Sequence, residues 1–340
     1  MPDTQNDFAN PISTGRSRRM GVVNILATMV MWGFAAIAIE FLTRHLDLWT
    51  QNFARIASAA VFLWAVCLVR SGRKFLAQVP RLLVRTAPAF LAFFIYQYLY
   101  VRALYMQNVL PGLAYMLLQA SVFFTVLLSC ILFADERAVV RDRRFQVGAL
   151  LSVIGLGGFV VVGLRSDPGG VGGTPLIVGV LILLSSCIFW ALYTVLIKLL
   201  VRRGSPLATY TCVCTMMALA FGVLTFTIGE PAGLIPRGTI GIWVLVVAVG
   251  SGILFVGAAH VTYFHAIRAL GATVSGTVLL AGTFLTPVLS VIIFGEVLSV
   301  WSILSGIILI TGSAYALQAR PSAPVDAPDT RPPLRQSNDR

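Results

Sequence analysis

Charged side chains are scarce in this sequence: Asp, Glu, Lys and Arg make up 11% of its 340 residues, whereas 58% are hydrophobic. Soluble globular domains carry about 25% charged and about 45–50% apolar residues, so the composition excludes an ordinary soluble protein. The apolar residues come in blocks of about 20, long enough to cross a hydrocarbon core of about 30 Å as helices. They lack the alternation at every second residue that marks a membrane β-barrel. The composition therefore predicts a polytopic α-helical membrane protein.

Motifs of catalysis and metal binding are also absent from the sequence. It contains no HExxH, GxSxG or Walker A pattern, and its only lysines are Lys74 and Lys198. Its cysteines lie within apolar blocks without CxxC spacing, which is typical of small buried hydrophobic residues and not of zinc ligands. They are Cys67, Cys130, Cys187, Cys212 and Cys214. We therefore predict that the protein is not an enzyme and that it uses neither a metal nor a cofactor.

The two ends of the chain differ from the rest. Residues 1–19 and 319–340 are polar, and the second segment is rich in proline. Neither can bury enough apolar area to offset its ordering entropy, so we predict a disordered cytoplasmic arm and a disordered cytoplasmic tail. The net charge of +12 comes from arginines that collect in short loops, where they anchor helices at the cytoplasmic face. It does not indicate nucleic-acid binding.

Glycines, prolines and charged residues divide the chain into ten predicted spans. The spans are 20–42, 50–70, 86–106, 109–132, 145–163, 175–199, 207–229, 239–264, 270–294 and 299–318. With the amino terminus in the cytoplasm, twenty Lys and Arg residues fall inside and three fall outside, namely Arg44, Arg165 and Arg237. This positive-inside bias predicts a multi-pass plasma-membrane protein, in a bacterial inner membrane, with both termini in the cytoplasm.

The ends of spans 4 and 9 are alike. "FADERAVVRDRR" begins at Phe133 and "FGEVLSVW" begins at Phe294, and the same shift of 161 residues aligns Thr125 with Thr286. The second copy has no arginine because its end faces the opposite side. We therefore predict an all-α integral membrane fold of two inverted five-helix repeats, 20–163 and 175–318, joined by an external linker, 164–174. Inverted repeats with a midplane site are typical of secondary transporters.

Four segments resemble EamA-type transporters of the drug/metabolite transporter superfamily. They are "MWGFAAIAIEFL" (31–42), "RALYMQNVLPGLAYMLLQASVFFTVLLSCILFADER" (102–137), "GVLILLSSCIFWALYTVLIKLL" (179–200) and "AIRALGATVSGTVLLAGTFLTPVLSVIIFGE" (266–296). The resemblance covers residues 20–318 and implies two EamA repeats that export small metabolites. The sequence of span 4 is similar to that of family members that export cysteine-related amino acids. The chain departs from the family at Glu40, where relatives often have lysine, and its second half has no arginine matching Arg55.

Ionisable residues within the spans are candidates for gating or coupling. Glu40, Arg55 and Arg102 fall in the outer thirds of spans 1, 2 and 3. A charge at the centre of a helix costs about 2.5–3.5 kcal/mol on insertion scales, so mutual pairing is expected. We predict an outer gate or a carboxylate-recognising cluster, with Glu40 as a proton carrier; the alternative is that Glu40 and Arg102 snorkel to the interface. His260, near the inner end of span 8, is a further candidate for proton coupling.

Span 4 carries a polar residue on an aromatic face. Tyr115, Gln119 and Phe123 recur at i, i+4 and i+8, and their repeat mates on span 9 are Gly276, Leu280 and Phe284. Gln119 both donates and accepts hydrogen bonds, which suits a substrate amide or ammonium. The alternative is an interhelical hydrogen bond that holds the bundle together.

Aromatic residues on other spans complete the predicted substrate site. Tyr96, Gln97 and Tyr100 on span 3 are predicted to line an amphipathic pocket; the alternative for the tyrosines is the aromatic belt at the membrane interface. Trp32 and Trp190, at matching positions of spans 1 and 6, are predicted to pack beside it.

The predicted function is secondary transport of a small molecule across the lipid bilayer. The resemblance implies export of small amphipathic metabolites, amino acids or their derivatives, and the inverted repeats predict alternating access around a midplane cavity. An importer of the same fold, a non-transporting membrane scaffold or sensor, and an intramembrane enzyme are the alternatives. The sequence leaves open whether protons are coupled to transport and whether the unit is a monomer or a homo-oligomer.

Overall fold

The described part of the chain consists of helices and short connections and contains no β-strand. The computed structural model describes residues 15–105, 118, 121–166, 176–202, 204–282, 285–286, 288–289, 292, 300–316 and 318–319. Apolar side chains cover the outside of the bundle; Val69, Trp243 and Phe226 are 88%, 59% and 68% exposed. Helices that are apolar on every side are typical of a membrane bundle, because lipid tails solvate the outer faces. The predicted all-α membrane fold is confirmed.

The first repeat begins with two long helices. α1 spans Gly15–Thr43, so it begins five residues before the predicted span and includes the last part of the expected disordered arm. α2 spans Leu48–Tyr105 and contains predicted spans 2 and 3. Gly72 interrupts it at φ 48 and ψ −128, a left-handed conformation that glycine adopts without a Cβ penalty. We call the two parts α2a (48–71) and α2b (73–105). Residues 73–85, expected to be a loop, therefore form the first turns of α2b.

The first repeat continues with three shorter elements. α3 spans Ser121–Leu132 and is the described second half of predicted span 4. α4 is a short helix, Ala134–Val140, and α5 spans Arg143–Ser166.

The second repeat contains the remaining helices. α6 spans Leu176–Arg202, and α7 spans Pro206–Ile228 with Ser205 as its N-cap. A 3₁₀ turn, Pro231–Leu234, precedes α8, Gly238–Ser251. A π-helical segment, Gly252–Ala258, joins α8 to α9, Ala259–Leu270, so that predicted span 8 is one helix of 33 residues. α10, Ala272–Leu279, and α11, Val300–Ala316, correspond to the first part of span 9 and to span 10.

The two repeats meet through helices that lie close and antiparallel. A Cβ on Gly155 of α5 would come within 2.5 Å of the backbone nitrogen of Leu309 in α11, and Gly148 faces the backbone of Ala316. The residue nearer the start of α5 therefore contacts the residue nearer the end of α11. Helices 5 and 10 of the predicted order run in opposite directions, which agrees with two inverted repeats.

Candidate functional site

An aromatic cavity lies between the two repeats. It encloses about 1040 Å³, including solvent at its opening, and side chains from both repeats line it. Ligand cavities of proteins typically combine apolar walls with a few convergent polar groups. The aromatic residues of its wall are Trp32, Phe93, Tyr96, Tyr100, Trp190, Phe255 and Tyr263.

Trp32 and Trp190 form the centre of the aromatic wall. Their ring centroids lie 5.3 Å apart at 74°, an edge-to-face arrangement. Trp190 also lies 4.8 Å from the ring of Tyr96 and stacks on Tyr263 at 5.9 Å. The indole Nε1–H of Trp32 donates to the carbonyl oxygen of Phe255 at 3.1 Å, which fixes the orientation of its ring. These contacts bring spans 1, 3, 6 and 8 together around one space.

Among the described residues that line the cavity, Arg55 is the one Lys, Arg, Asp or Glu. It is 3% exposed, and its Nε–H donates to Oγ of Ser251 at 3.3 Å. Its Nη1 has no hydrogen-bond partner within the described residues. No described Asp or Glu lines the cavity, so the guanidinium charge has no acidic counterpart there. A buried, incompletely bonded cation is costly, which is why such a group indicates a ligand site.

His260 lies on the opposite repeat and faces the same cavity. It is 6% exposed, and Nδ1 lies 2.9 Å from the carbonyl oxygen of Val256. The imidazole stacks on Tyr210 at 4.6 Å and 3°, and it forms a T-shaped pair with Trp32 at 5.0 Å. Its Nε2 has no hydrogen-bond partner among the residues described. The sequence placed His260 near the inner end of span 8, but the helix continues for ten residues beyond it, to Leu270, so it lies deeper in the bundle.

A buried ion pair links the repeats at the end of the bundle that carries the arginine-rich loops. Nζ of Lys198 in α6 lies 2.6 Å from Oε1 of Glu136 in α4, and the side chains are 4% and 1% exposed. The same oxygen accepts the backbone N–H of Ala272, at the start of α10, at 2.8 Å. Nζ of Lys198 also lies 4.1 Å above the ring of Phe133. Glu136 belongs to the first repeat and its two partners to the second, so these contacts hold the repeats together there.

Seven of the predicted site residues line one cavity. They are Trp32, Arg55, Tyr96, Gln97, Tyr100, Trp190 and His260. The amide of Gln97 donates from Nε2 to Oδ1 of Asn52 at 2.8 Å, which joins α2b to α2a at the cavity wall.

The structure separates the three charged residues that were expected to form a cluster. Glu40 Oε1 accepts hydrogen bonds from Arg44, the residue that follows α1, at 2.9 Å from Nη2, and Glu40 does not line the cavity. Arg102 is exposed on α2b. Arg55 instead bonds Ser251 in the other repeat. The reason is that Glu40 and Arg102 lie near helix ends, where the polar interface solvates them, whereas Arg55 lies several turns inside.

The predicted face of span 4 lies mostly outside the described residues. Tyr115, Gln119 and Phe284 are not among them, nor is the side chain of Phe123. The described residues of this span that line the cavity are Leu118, Ser121, Val122 and Thr125, which is a neighbouring face of the helix. On span 9, Gly276 and Leu279 line the cavity, whereas Leu280 is buried against Val122, Leu156 and Leu309. The role of Gln119 stays a prediction.

Several wall residues were not among those predicted from the sequence. Tyr263 lies three residues after His260, and Phe93 lies three residues before Tyr96, so helical periodicity would have placed both on the faces of predicted residues. Ser251, which bonds Arg55, was not predicted either, and no spacing to a predicted residue would have indicated it. Within the described residues no group of three His, Cys, Asp or Glu could hold a metal ion.

Comparison with known proteins agrees with this architecture. The model of the EamA-like transporter family matches residues 19–161 and, a second time, residues 177–318. An uncharacterized transporter of Haemophilus influenzae is 21% identical over 305 residues, which cover 86% of this chain and 95% of that protein. One solved crystal structure aligns with 89% of this chain and 97% of its own length, at a TM-score of 0.67 and 20% identity. At that identity the likeness shows the fold alone.

Proposed function

We propose that this chain, which belongs to the EamA-like transporter family, is a secondary transporter that exports small amphipathic metabolites, amino acids or their derivatives. The observation that carries the proposal is one aromatic cavity, lined by both repeats, with a buried arginine and a buried histidine in its wall. Aromatic rings suit the apolar part of an amphipathic molecule, and the two polar side chains suit its polar part.

Alternating access of the two repeats is the proposed mechanism. The contacts among Glu136, Lys198 and Ala272 support it, because they join the repeats at one end of the cavity and must open before a molecule can pass that way. The glycine contacts between α5 and α11 support it as well, because a close and smooth helix pair can act as a pivot. We place the protein in a bacterial inner membrane with both termini in the cytoplasm, where the ion pair closes the cytoplasmic end.

An ion gradient is the proposed source of energy. His260 is the residue that we propose as the carrier of a coupling proton, since it faces the cavity and its Nε2 has no described partner. Glu40 suits this role less well because Arg44 already engages its carboxylate away from the cavity.

A metabolite comparison of expressing cells tests the function. Extracellular and intracellular pools are measured by mass spectrometry for cells with wild type, Arg55→Gln, Gln119→Ala and the matched control Arg237→Gln, an exposed residue at the start of α8. Export predicts that one compound class accumulates outside with wild type and with the control, and at least tenfold less with the two site variants.

The same experiment separates the alternatives. Accumulation inside the cell with depletion of the medium would identify an importer of the same fold. Identical pools in all four strains, with equal amounts of protein in the membrane, would contradict transport and favour a scaffold or sensor.

A further inference from the structure

A basic pocket lies beside the break in α2, at the end of the bundle that carries the arginine-rich loops. It encloses about 1080 Å³, including solvent at its opening. The end of α2a, the start of α2b and the start of α7 line it, and its charged residues are Arg70, Arg73 and Lys74. We infer that this pocket binds the phosphate headgroup of an anionic phospholipid. The inference does not depend on the transported substrate and requires only that the chain lies in a bilayer.

The three cations of the pocket have no acidic partner. No Asp or Glu is among the described residues that line it. Nor does any described residue form an ion pair with Arg70, Arg73 or Lys74. All three are exposed, so their side chains can reach a ligand at the surface of the bundle. Like charges held in one pocket repel each other, and an anion that lies between them removes that cost.

Two helix starts add to the positive potential of the pocket. Arg73 and Lys74 are the first residues of α2b, where the helix dipole already places partial positive charge. α7 begins after its N-cap, Ser205, and has no acidic residue in its first turn. The first backbone N–H groups of a helix have no carbonyl partner within the helix, and phosphate binds there readily. Both helix starts therefore favour an anion in the same pocket.

The inner wall of the pocket is apolar, which favours a lipid over a free phosphate ion. Cys67, Phe75 and Ala208 line the pocket and belong to one buried cluster. The ring of Phe75 forms a T-shaped pair with that of Trp64 at 5.0 Å, which holds it in place. A phospholipid presents its phosphate to the cations and its glycerol and first acyl carbons to this wall. Inorganic phosphate has no apolar part and gains nothing from it.

Exposed apolar side chains beside the cations place the pocket at the edge of the hydrocarbon. Val69 precedes Arg70 and is 88% exposed, and Leu76, two residues after Lys74, is 47% exposed. Lipid tails solvate such side chains, whereas Arg and Lys extend to the headgroup layer. The phosphates of the bilayer lie in that layer as well. A lipid whose phosphate occupies the pocket can therefore keep its acyl chains in the membrane.

The charge of the pocket favours an anionic lipid over a zwitterionic one. Phosphatidylcholine carries a quaternary ammonium beside its phosphate, and this group would be repelled by the three cations. Phosphatidylglycerol carries the phosphate without a compensating cation. Each Lys or Arg near an anionic lipid surface contributes about fivefold in affinity. Three such residues predict a preference for phosphatidylglycerol of up to about a hundredfold.

Native mass spectrometry with two lipids of equal acyl chains tests the inference. The full-length protein in detergent is titrated with dioleoyl phosphatidylglycerol and, separately, with dioleoyl phosphatidylcholine. The dissociation constant of the first bound lipid is measured for each, and we expect phosphatidylglycerol to bind at least tenfold more tightly. A second arm adds inorganic phosphate in large excess. It should leave the lipid bound, because the free ion makes no contact with the apolar wall.

Variants of the three cations locate the site. The triple variant Arg70→Gln, Arg73→Gln and Lys74→Gln should reduce the preference for phosphatidylglycerol to less than about threefold. The double variant Arg70→Lys with Arg73→Lys keeps the charge and should keep most of the preference. All three residues are exposed, so we expect both variants to fold, and a monodisperse elution profile checks this.

The matched control removes the same charge from another loop. It carries Arg141→Gln, Arg143→Gln and Arg144→Gln, which replace three exposed arginines around the start of α5, and it should bind like wild type. An equal loss in the control and in the pocket variant would overturn the inference, because net charge and not the pocket would then attract the lipid. Equal binding of the two lipids by wild type, or release of the lipid by inorganic phosphate, would overturn it as well.

Discussion

Ser152 and Ser313 face one another with their hydroxyl oxygens 3.4 Å apart, and they are separated by 161 residues in the chain. The same shift aligns Phe133 with Phe294 at the ends of spans 4 and 9. The two serines are thus equivalent positions of the two repeats, and they meet where α5 crosses α11. Ser313 also donates to the carbonyl oxygen of Thr277 in α10 at 3.1 Å. A contact between equivalent residues is what a two-fold relation between inverted halves produces, because only positions on the axis meet their own mates.

Substitution of Gly155 should weaken the contact between the repeats. A Cβ there would lie 2.5 Å from the backbone nitrogen of Leu309 and 2.7 Å from the carbonyl oxygen of Ser305, and backbone atoms cannot move aside easily. We expect Gly155→Ala to lower the free energy of unfolding by about 1–3 kcal/mol, as overpacking usually does. Thermal unfolding of the purified protein in detergent measures the effect.

Gly157 provides the control on the same helix. A Cβ at Gly157 meets nothing within 4 Å, so Gly157→Ala should be neutral or slightly stabilising through helix propensity. Equal destabilisation by the two variants would contradict a close helix contact at Gly155.

The ion pair between Glu136 and Lys198 should be more sensitive to the loss of one partner than of both. Glu136→Gln removes the carboxylate that lies 2.6 Å from the buried Lys198 ammonium, and we expect a loss of about 3–5 kcal/mol in stability. The double variant Glu136→Gln with Lys198→Met removes the charge as well and should recover much of that loss. A double-mutant cycle of unfolding temperatures measures the coupling; strictly additive effects would show that the pair is not coupled.

Removal of the Trp190 ring should impair transport more than folding. The ring contacts Trp32, Tyr96 and Tyr263, so Trp190→Ala opens one wall of the cavity. We expect efflux to fall at least tenfold while the protein still inserts into the membrane. Trp243→Ala is the matched control, because Trp243 is 59% exposed on the outside of α8 and should tolerate the change. Normal efflux by Trp190→Ala would remove this cavity from the transport pathway.

A methyl group on Gly252 should disturb Arg55 indirectly. A Cβ there would overlap the hydroxyl of Ser58 and the carbonyl oxygen of Arg55, so α2a and the π-helical segment would have to separate. We expect Gly252→Ala to lower efflux about tenfold or more, with the metabolite comparison of expressing cells as the measurement. Gly250→Ala, where a Cβ meets nothing within 4 Å, should transport like wild type. Equal efflux by the two variants would contradict this packing.

Much of the fold could be predicted from the sequence, because the bilayer allows few solutions. A lipid-embedded chain must satisfy its backbone hydrogen bonds internally, so apolar blocks of about 20 residues form helices. The resemblance of four segments identified the family, and the shift of 161 residues identified the repeats. Tyr96 and Tyr100 lie one helical turn apart and so share a face, and both line the cavity. Trp32 and Trp190 occupy matching positions of the two repeats, and both line it as well.

The partners of the polar residues were decided by the tertiary structure alone. Arg55 bonds Ser251, which is 196 residues away, and Lys198 meets Glu136, which is 62 residues away. No local sequence pattern indicates a pairing between residues so far apart in the chain. Among the described contacts, Arg55 pairs with Ser251 and Glu40 with Arg44, so the expected cluster of Arg55, Glu40 and Arg102 is not present. The direction in which His260 points from its helix depends on the π-helical segment Gly252–Ala258, which turns less per residue than an α-helix. The sequence gives no clear indication of that segment. The sequence thus determined which helices exist and that they repeat, whereas packing between the repeats decided which polar groups share the cavity.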